Sequence, residues 1–150
     1  MATTVTIDKT KVLQDVAMLT SYIGGKVVLE QDDGGKTFER IATTADNDAL
    51  LTKYYTACSD SVAQVFAKYL SEVSDSGFVF EFPTNINSAL LPAMESDLYN
   101  FYVMGIVAKW SEVANKSEAE AYQTQAIGML DSAYAKANSR VRPTRTVNSK

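Results

Sequence analysis

The sequence predicts a mainly α fold: a compact bundle of about four helices, a small β-hairpin or short sheet, and an extended C-terminal arm. Three observations carry that reading. Long segments repeat apolar residues every three or four positions, the period of a helix with one buried face. Two short stretches favour strands instead, one around Asp33-Gly34-Gly35 and one reading "FVFEF". The chain closes on "NSRVRPTRTVNSK", with Arg140, Arg142, Arg145 and Lys150, no acid, and Pro143 in its middle. Residues 1–139 read as one helical domain and residues 140–150 as the arm. A chain of 150 residues is long enough to bury a core of its own.

The first helix is expected from Asp8, whose carboxylate can accept from freed amides as an N-cap. Val12, Val16, Leu19 and Ile23 follow at spacings of 4, 3 and 4, one helical stripe. Gly24-Gly25 is expected to end it. "KVVLEQDDGGKTFERIA" then reads as a β-hairpin at about 26–42, turning at Asp33-Gly34-Gly35. The "GGKT" at 34–37 resembles the end of a phosphate-binding loop, but that loop needs a glycine where Glu30 stands. Asp32 and Asp33 lack the spaced partners of an EF-hand loop.

The second helix is the longest signal. Thr44 or Asp46 can cap it, and Leu51, Tyr54, Cys58, Val62, Val65, Tyr69 and Val73 form its stripe. Cys58, lying within that stripe, reads as a small buried hydrophobe. In "FVFEF", Phe78, Phe80 and Phe82 alternate with Val79 and Glu81, and Pro83 stops the strand. It either pairs with the hairpin in a sheet of about three strands or is an exposed edge that extends a neighbour's sheet. The third helix has Pro92 in its first turn. Between Leu98 and Trp110 only Asn100 and Lys109 are strongly polar. A helix apolar nearly all round is central to a bundle, or shared between core and interface. Phe78, Phe80, Phe82, Tyr99, Tyr102 and Trp110 are accordingly the candidate subunit-interface residues. Ser117 and Glu120 have the spacing of a capping box for the fourth helix. Its stripe is Ala119, Tyr122, Ala126, Met129 or Leu130, Ala133 and Ala137, and Arg140 near its end complements the dipole.

Composition narrows the chemistry. The chain has no histidine and one cysteine, which removes histidine-based triads, intrachain disulfides and typical zinc sites. No catalytic, cofactor-binding or metal site is expected, and no enzymatic activity. The longest apolar run, "FYVMGIVA" at 101–108, is far short of a membrane span, and "MATTVTIDKTK" lacks a signal-peptide pattern. The chain has 14 basic and 18 acidic residues. Without the four tail cations the body stands at 10 against 18, about −8, which repels a polyanion. Arg140, Arg142, Pro143 and Arg145 therefore read as an arm that docks on an acidic protein surface, since arginine pairs bidentately with carboxylates.

The chain as a whole resembles the head–tail connector family of the tailed-phage neck, over roughly residues 44–145. The resemblance is carried by "DNDALLTKYYTACSDSVAQVFAKYL", "LPAMESDLYNFYVMGIVAKWSEVA" and "AYQTQAIGMLDSAYAKANSRVRPTR". It implies a structural virion protein, assembled in the bacterial host cytoplasm. About a dozen copies would form a ring below the portal, acting as adaptor or stopper around a channel for DNA. The implied partners are the portal protein and other neck or tail proteins, with only non-specific proximity to DNA and no membrane. The other reading is a non-viral or regulatory helical protein-binding module without catalysis.

Overall fold

The computed structural model describes residues 2–30, 47–114 and 116–142, with side chains outside 23–30, 114 and 116. The elements run β1 (Ala2–Thr6), α1 (Lys9–Glu30), α2 (Asp48–Val65), β2 (Leu70–Ser74) and β3 (Gly77–Glu81). A short 3-10 turn (Ser88–Leu90) then leads into α3 (Leu91–Ala114) and α4 (Lys116–Ala137). Among the described residues the protein is mainly α, with four α-helices and one three-stranded antiparallel sheet.

Asp8 caps α1 as its sequence position suggests: its Oδ1 accepts from Lys11 N–H at 3.2 Å. Val12 and Val16 are fully buried on the expected stripe. The helix does not stop at Gly24-Gly25 but continues to Glu30, so residues 26–30, expected as a strand, are helical. A glycine inside a helix costs about 1 kcal/mol against alanine, a penalty that packing of the rest of the helix offsets. The remainder of the expected hairpin, residues 31–42, lies outside the described residues, as do Thr44 and Asp46.

The second helix also ends elsewhere than expected. It stops at Val65, with Phe66 N–H bonded to Val62 O at 2.9 Å, and residues 70–74 form β2 instead of continuing the helix. Val73, assigned to the apolar stripe, is consequently 54% exposed. The competing interaction is non-local: β2 pairs antiparallel with β3, Val73 opposite Phe78 and Leu70 opposite Phe80, and Glu81 N–H reaches Tyr69 O at 2.7 Å.

β3 is the central strand, in the order β1-β3-β2. Val5 lies opposite Phe78 and Thr3 opposite Phe80. The FVFEF strand is thus not a free edge: the N-terminal residues flank it on one side and β2 on the other. Its phenylalanines face inward. Phe80 lies 5.0 Å from the Phe66 ring, and Phe82 lies 5.0 Å from the Tyr69 ring.

The nearly all-apolar α3 is the centre of the bundle and packs against each of the other three helices. Met94, Leu98, Tyr102, Ile106 and Val107 are buried along it. It comes close to α2 at Gly105, where an added Cβ would stand 3.0 Å from Cys58 Sγ. α4 buries Ala119, Ala126, Leu130, Ala133 and Ala137, the predicted stripe, and small residues allow the close α3–α4 contact. It begins at Lys116, one residue ahead of the expected capping residue Ser117. Lys136 Nζ meets Asp97 Oδ2 at 2.5 Å, and Ser132 Oγ donates to the same oxygen at 2.9 Å, pinning the register of the two helices.

Candidate functional site

The tail is the feature that sequence singled out, and its root is where α4 ends. Asn138 N–H bonds to Tyr134 O at 3.1 Å and Ser139 N–H to Lys136 O at 3.1 Å, closing the last turn. The backbone then runs alongside residues 85–87. Asn87 N–H donates to Ser139 O at 3.0 Å and Val141 N–H to Asn85 O at 2.9 Å, with Ile86 and Arg140 forming an isolated bridge. The body therefore holds the chain through Val141, beyond the expected boundary at 140.

Arg140 is part of that hold. Its Nη1 donates to Ala137 O at 2.8 Å and to Ser139 O at 3.1 Å, supplying donors and positive charge to the carbonyl end of α4. Its Nη2 donates to Tyr69 Oη at 2.7 Å, and Tyr69 in turn donates to Asn138 Oδ1 at 2.5 Å. The guanidinium also lies 5.8 Å from the Tyr69 ring centroid. The dipole-complementing role read from sequence is present. Besides its expected place in the docking arm, the Arg140 guanidinium makes these contacts within the chain. Arg142 is exposed just past the last backbone bond, whereas Pro143 and Arg145 lie outside the described residues.

Removing the clasp has a measurable consequence. Arg140→Met should lower stability by roughly 1–2 kcal/mol, since it strips a charge-assisted donor from both the Tyr69 hydroxyl and the helix end. Urea denaturation checks this. A loss no larger than that of Arg142→Met would show that the clasp contributes nothing.

The expected subunit-interface residues are mostly interior. Phe78 (2% exposed), Phe80 (0%), Phe82 (2%), Tyr102 (1%) and Trp110 (7%) belong to the chain's own core. Their aromatic richness reflects packing of the sheet on α2 and of α3 within the bundle. Tyr99 alone is half-buried; its hydroxyl donates to Asp15 Oδ2 and Lys11 Nζ lies 5.4 Å from its ring centroid. Glu81, the one acid in an apolar context, is exposed on the outer face of the sheet. Sequence reasoning missed the N-terminal strand, although the alternation Thr4, Val5, Thr6, Ile7 carried its signal. Val5 and Ile7 are buried, Thr4 and Thr6 exposed.

An open cleft of about 470 Å³ lies between α1, α2 and the β2–β3 turn, with Lys9, Tyr55, Ser59, Asp60 and Asp75 among its walls. Ser59 Oγ and Tyr102 Oη are 2.7 Å apart beside it. Burial pushes the Tyr102 phenol well above its ordinary value, so at neutral pH it cannot take the Ser59 proton. The pair is an interhelical tie. Burial likewise pushes the Cys58 thiol up to about 12, keeping it protonated. Among the described residues no group of three His, Cys, Asp or Glu side chains could hold a metal ion. Nor is any helix there long and apolar enough to cross a membrane.

The phenols carry a pH prediction. Tyr102, Tyr99 and Tyr122 are all raised, chiefly by burial, with Asp15 adding for Tyr99 and Glu118 for Tyr122. A phenol whose folded pKa exceeds its unfolded value contributes stability that is full below that unfolded value, 10.0. The contribution is lost as pH rises from there toward the folded value. Tyr102→Phe should therefore cost about 1 kcal/mol at neutral pH, for the lost Ser59 bond, and flatten the decline above about pH 10. Urea midpoints across the alkaline range test both parts. An unchanged alkaline slope would remove Tyr102 from the account.

No protein-family model matches the chain, and comparison with curated proteins and with solved structures finds no match.

Proposed function

We propose that this chain is a structural virion protein of a tailed phage, a ring-forming subunit of the neck that binds the portal and surrounds the path of DNA. The observation that carries the reading is the placing of charge. Through Val141 the chain carries 11 basic against 18 acidic residues, about −7, and the acid-free stretch with Arg142, Arg145 and Lys150 follows a root clasped to the end of α4. A fixed root with cations beyond it suits a tether to a neighbouring component. Repeated around a ring, individually weak tethers add through multivalency. An acidic body disfavours adhesion of passing DNA. The helical resemblance over 44–145 supplies the identity of the assembly.

The test mixes purified protein with portal rings, using full-length chain and a form ending at Arg142, which keeps the Arg140 clasp intact. Sedimentation should show saturable binding by the full-length form at ring stoichiometry, and loss of it on truncation. Equal binding by both forms would retain the neck and discard the tether. No binding by either would sink the neck reading in favour of a non-viral or regulatory protein-binding module.

A further inference from the structure

We propose that the cleft between α1, α2 and the β2–β3 turn is a binding site for a small amino acid with a cationic side chain, the class of lysine and arginine. The cleft shares no residue with the tail root, and the inference goes beyond the neck reading without resting on it.

Its walls carry charges that the chain does not pair. Lys9, Asp60 and Asp75 all line the cleft. Among the described residues none of the three has an ion-pair partner. Lys9 is half-buried where α1 begins, and both aspartates are exposed. One unpaired surface charge would need no account, since water solvates it well. Two anions and one cation around one opening are complementary to a ligand with two cations and one anion.

The uncharged groups agree. Tyr55 is 5% exposed, yet its hydroxyl donates only at 3.4 Å to Ile7 O and 3.5 Å to Asp75 O. Both contacts exceed the usual range for a hydroxyl donor, about 2.5–3.0 Å. No described group donates to its oxygen. A buried hydroxyl so weakly bonded is uncommon, and an ammonium in the cleft supplies the missing donor. Thr56 and Ser74 spend their protons within the chain, on Thr52 O at 3.0 Å and Gly77 O at 3.3 Å. What they offer the cleft is oxygen lone pairs. Acceptors therefore outnumber donors, which suits a ligand rich in N–H groups.

Spacing assigns the ends of the ligand. Tyr55 Oη lies beside the main chain of Asp75, so the α-ammonium belongs there and the α-carboxylate toward Lys9. Asp60 stands five residues farther along α2, about 7.5 Å along its axis. A side-chain cation reaches it across a methylene stem. Val73, 54% exposed on the same wall, gives that stem an apolar surface. A cleft of about 470 Å³ has room for one such molecule.

Calorimetric titration of the full chain with L-lysine and L-arginine tests the site. Two further probes each lack one charge: norleucine has no side-chain cation, and cadaverine no carboxylate. Saturable binding of one lysine or arginine per chain is expected, with norleucine and cadaverine weaker by roughly fivefold or more. Asp60→Asn should erase the preference for lysine over norleucine, and Lys9→Gln the preference over cadaverine. Neither side chain is ion-paired among the described residues, so both variants should keep the parent's urea midpoint. Absence of saturable binding by both lysine and arginine would overturn the proposal. So would equal affinity for all four probes, or preferences that survive both substitutions, because the wall charges would then not select the ligand. Portal binding decides the neck reading separately, and none of these titrations bears on it.

Discussion

Gly77→Val is expected to break the pairing of β1 with β3 and to lower stability by roughly 3 kcal/mol or more. The backbones approach so closely there that a Cβ on residue 77 would overlap the carbonyl oxygen of Val5 and sit 3.0 Å from Thr6 Cα. Those atoms are main chain and fixed by the ladder, Val5 opposite Phe78 and Thr6 opposite Gly77, so they cannot move aside as a flexible side chain would. Ile7 N–H bonds to Ser76 O at 2.8 Å immediately beyond, and it would be disturbed too. Displacing β1 exposes Val5 (0% exposed) and Ile7 (2%), which adds lost apolar burial to the lost backbone bonds. Urea unfolding gives the size of the effect, and amide exchange of residues 3–7 gives its location. A variant within about 0.5 kcal/mol of the parent would mean that the N-terminal segment is not paired with β3.

Phe80→Ala should cost about 3–5 kcal/mol, the usual range for deleting a large aromatic from a closed core. Phe80 is fully buried at the centre of the central strand, and its ring lies 5.0 Å from Phe66 and 5.7 Å from both Phe78 and Phe82. Phe66 in turn meets Tyr134 edge-on at 5.5 Å, so one cluster joins the sheet, α2 and α4. A cavity there is walled by elements held from several directions and cannot collapse. Phe80→Leu, which keeps most of the volume, should lose much less. The pair of variants separates core from interface: if Phe80→Ala destabilised the isolated chain by less than about 1 kcal/mol and weakened assembly instead, the expectation that these phenylalanines contact a neighbouring subunit would be restored.

Much of the helical architecture was legible because it is written in short-range periodicity. The burial of Val12 and Val16, the alanine stripe of α4 and the Asp8 cap follow from residues within a few positions of one another. The central place of α3 was legible for a related reason: a helix with almost no polar face has to be surrounded. The candidate site was less so. Arg140 could be placed at a helix end from sequence, but its bond to Tyr69, 71 residues away, could not. That bond separates a clasped root from a tail that begins only after it.

The sequence by itself determined the fold class, the helical faces and the charge contrast between body and tail, because spacing and composition act locally or sum over the chain. Tertiary structure decided the rest. Residues 70–74 fit a helical stripe and a strand equally well until β3 offers them a ladder, and Gly24-Gly25 carries a propensity cost too small to end a helix on its own. Alternation in "FVFEF" specifies two faces but not which strands lie on either side. In the folded chain β1, far from β3 in sequence, occupies the other edge of β3, and Phe78 and Phe80 are buried in the core. Pairing across such distances depends on which partner is available, and no local pattern encodes that.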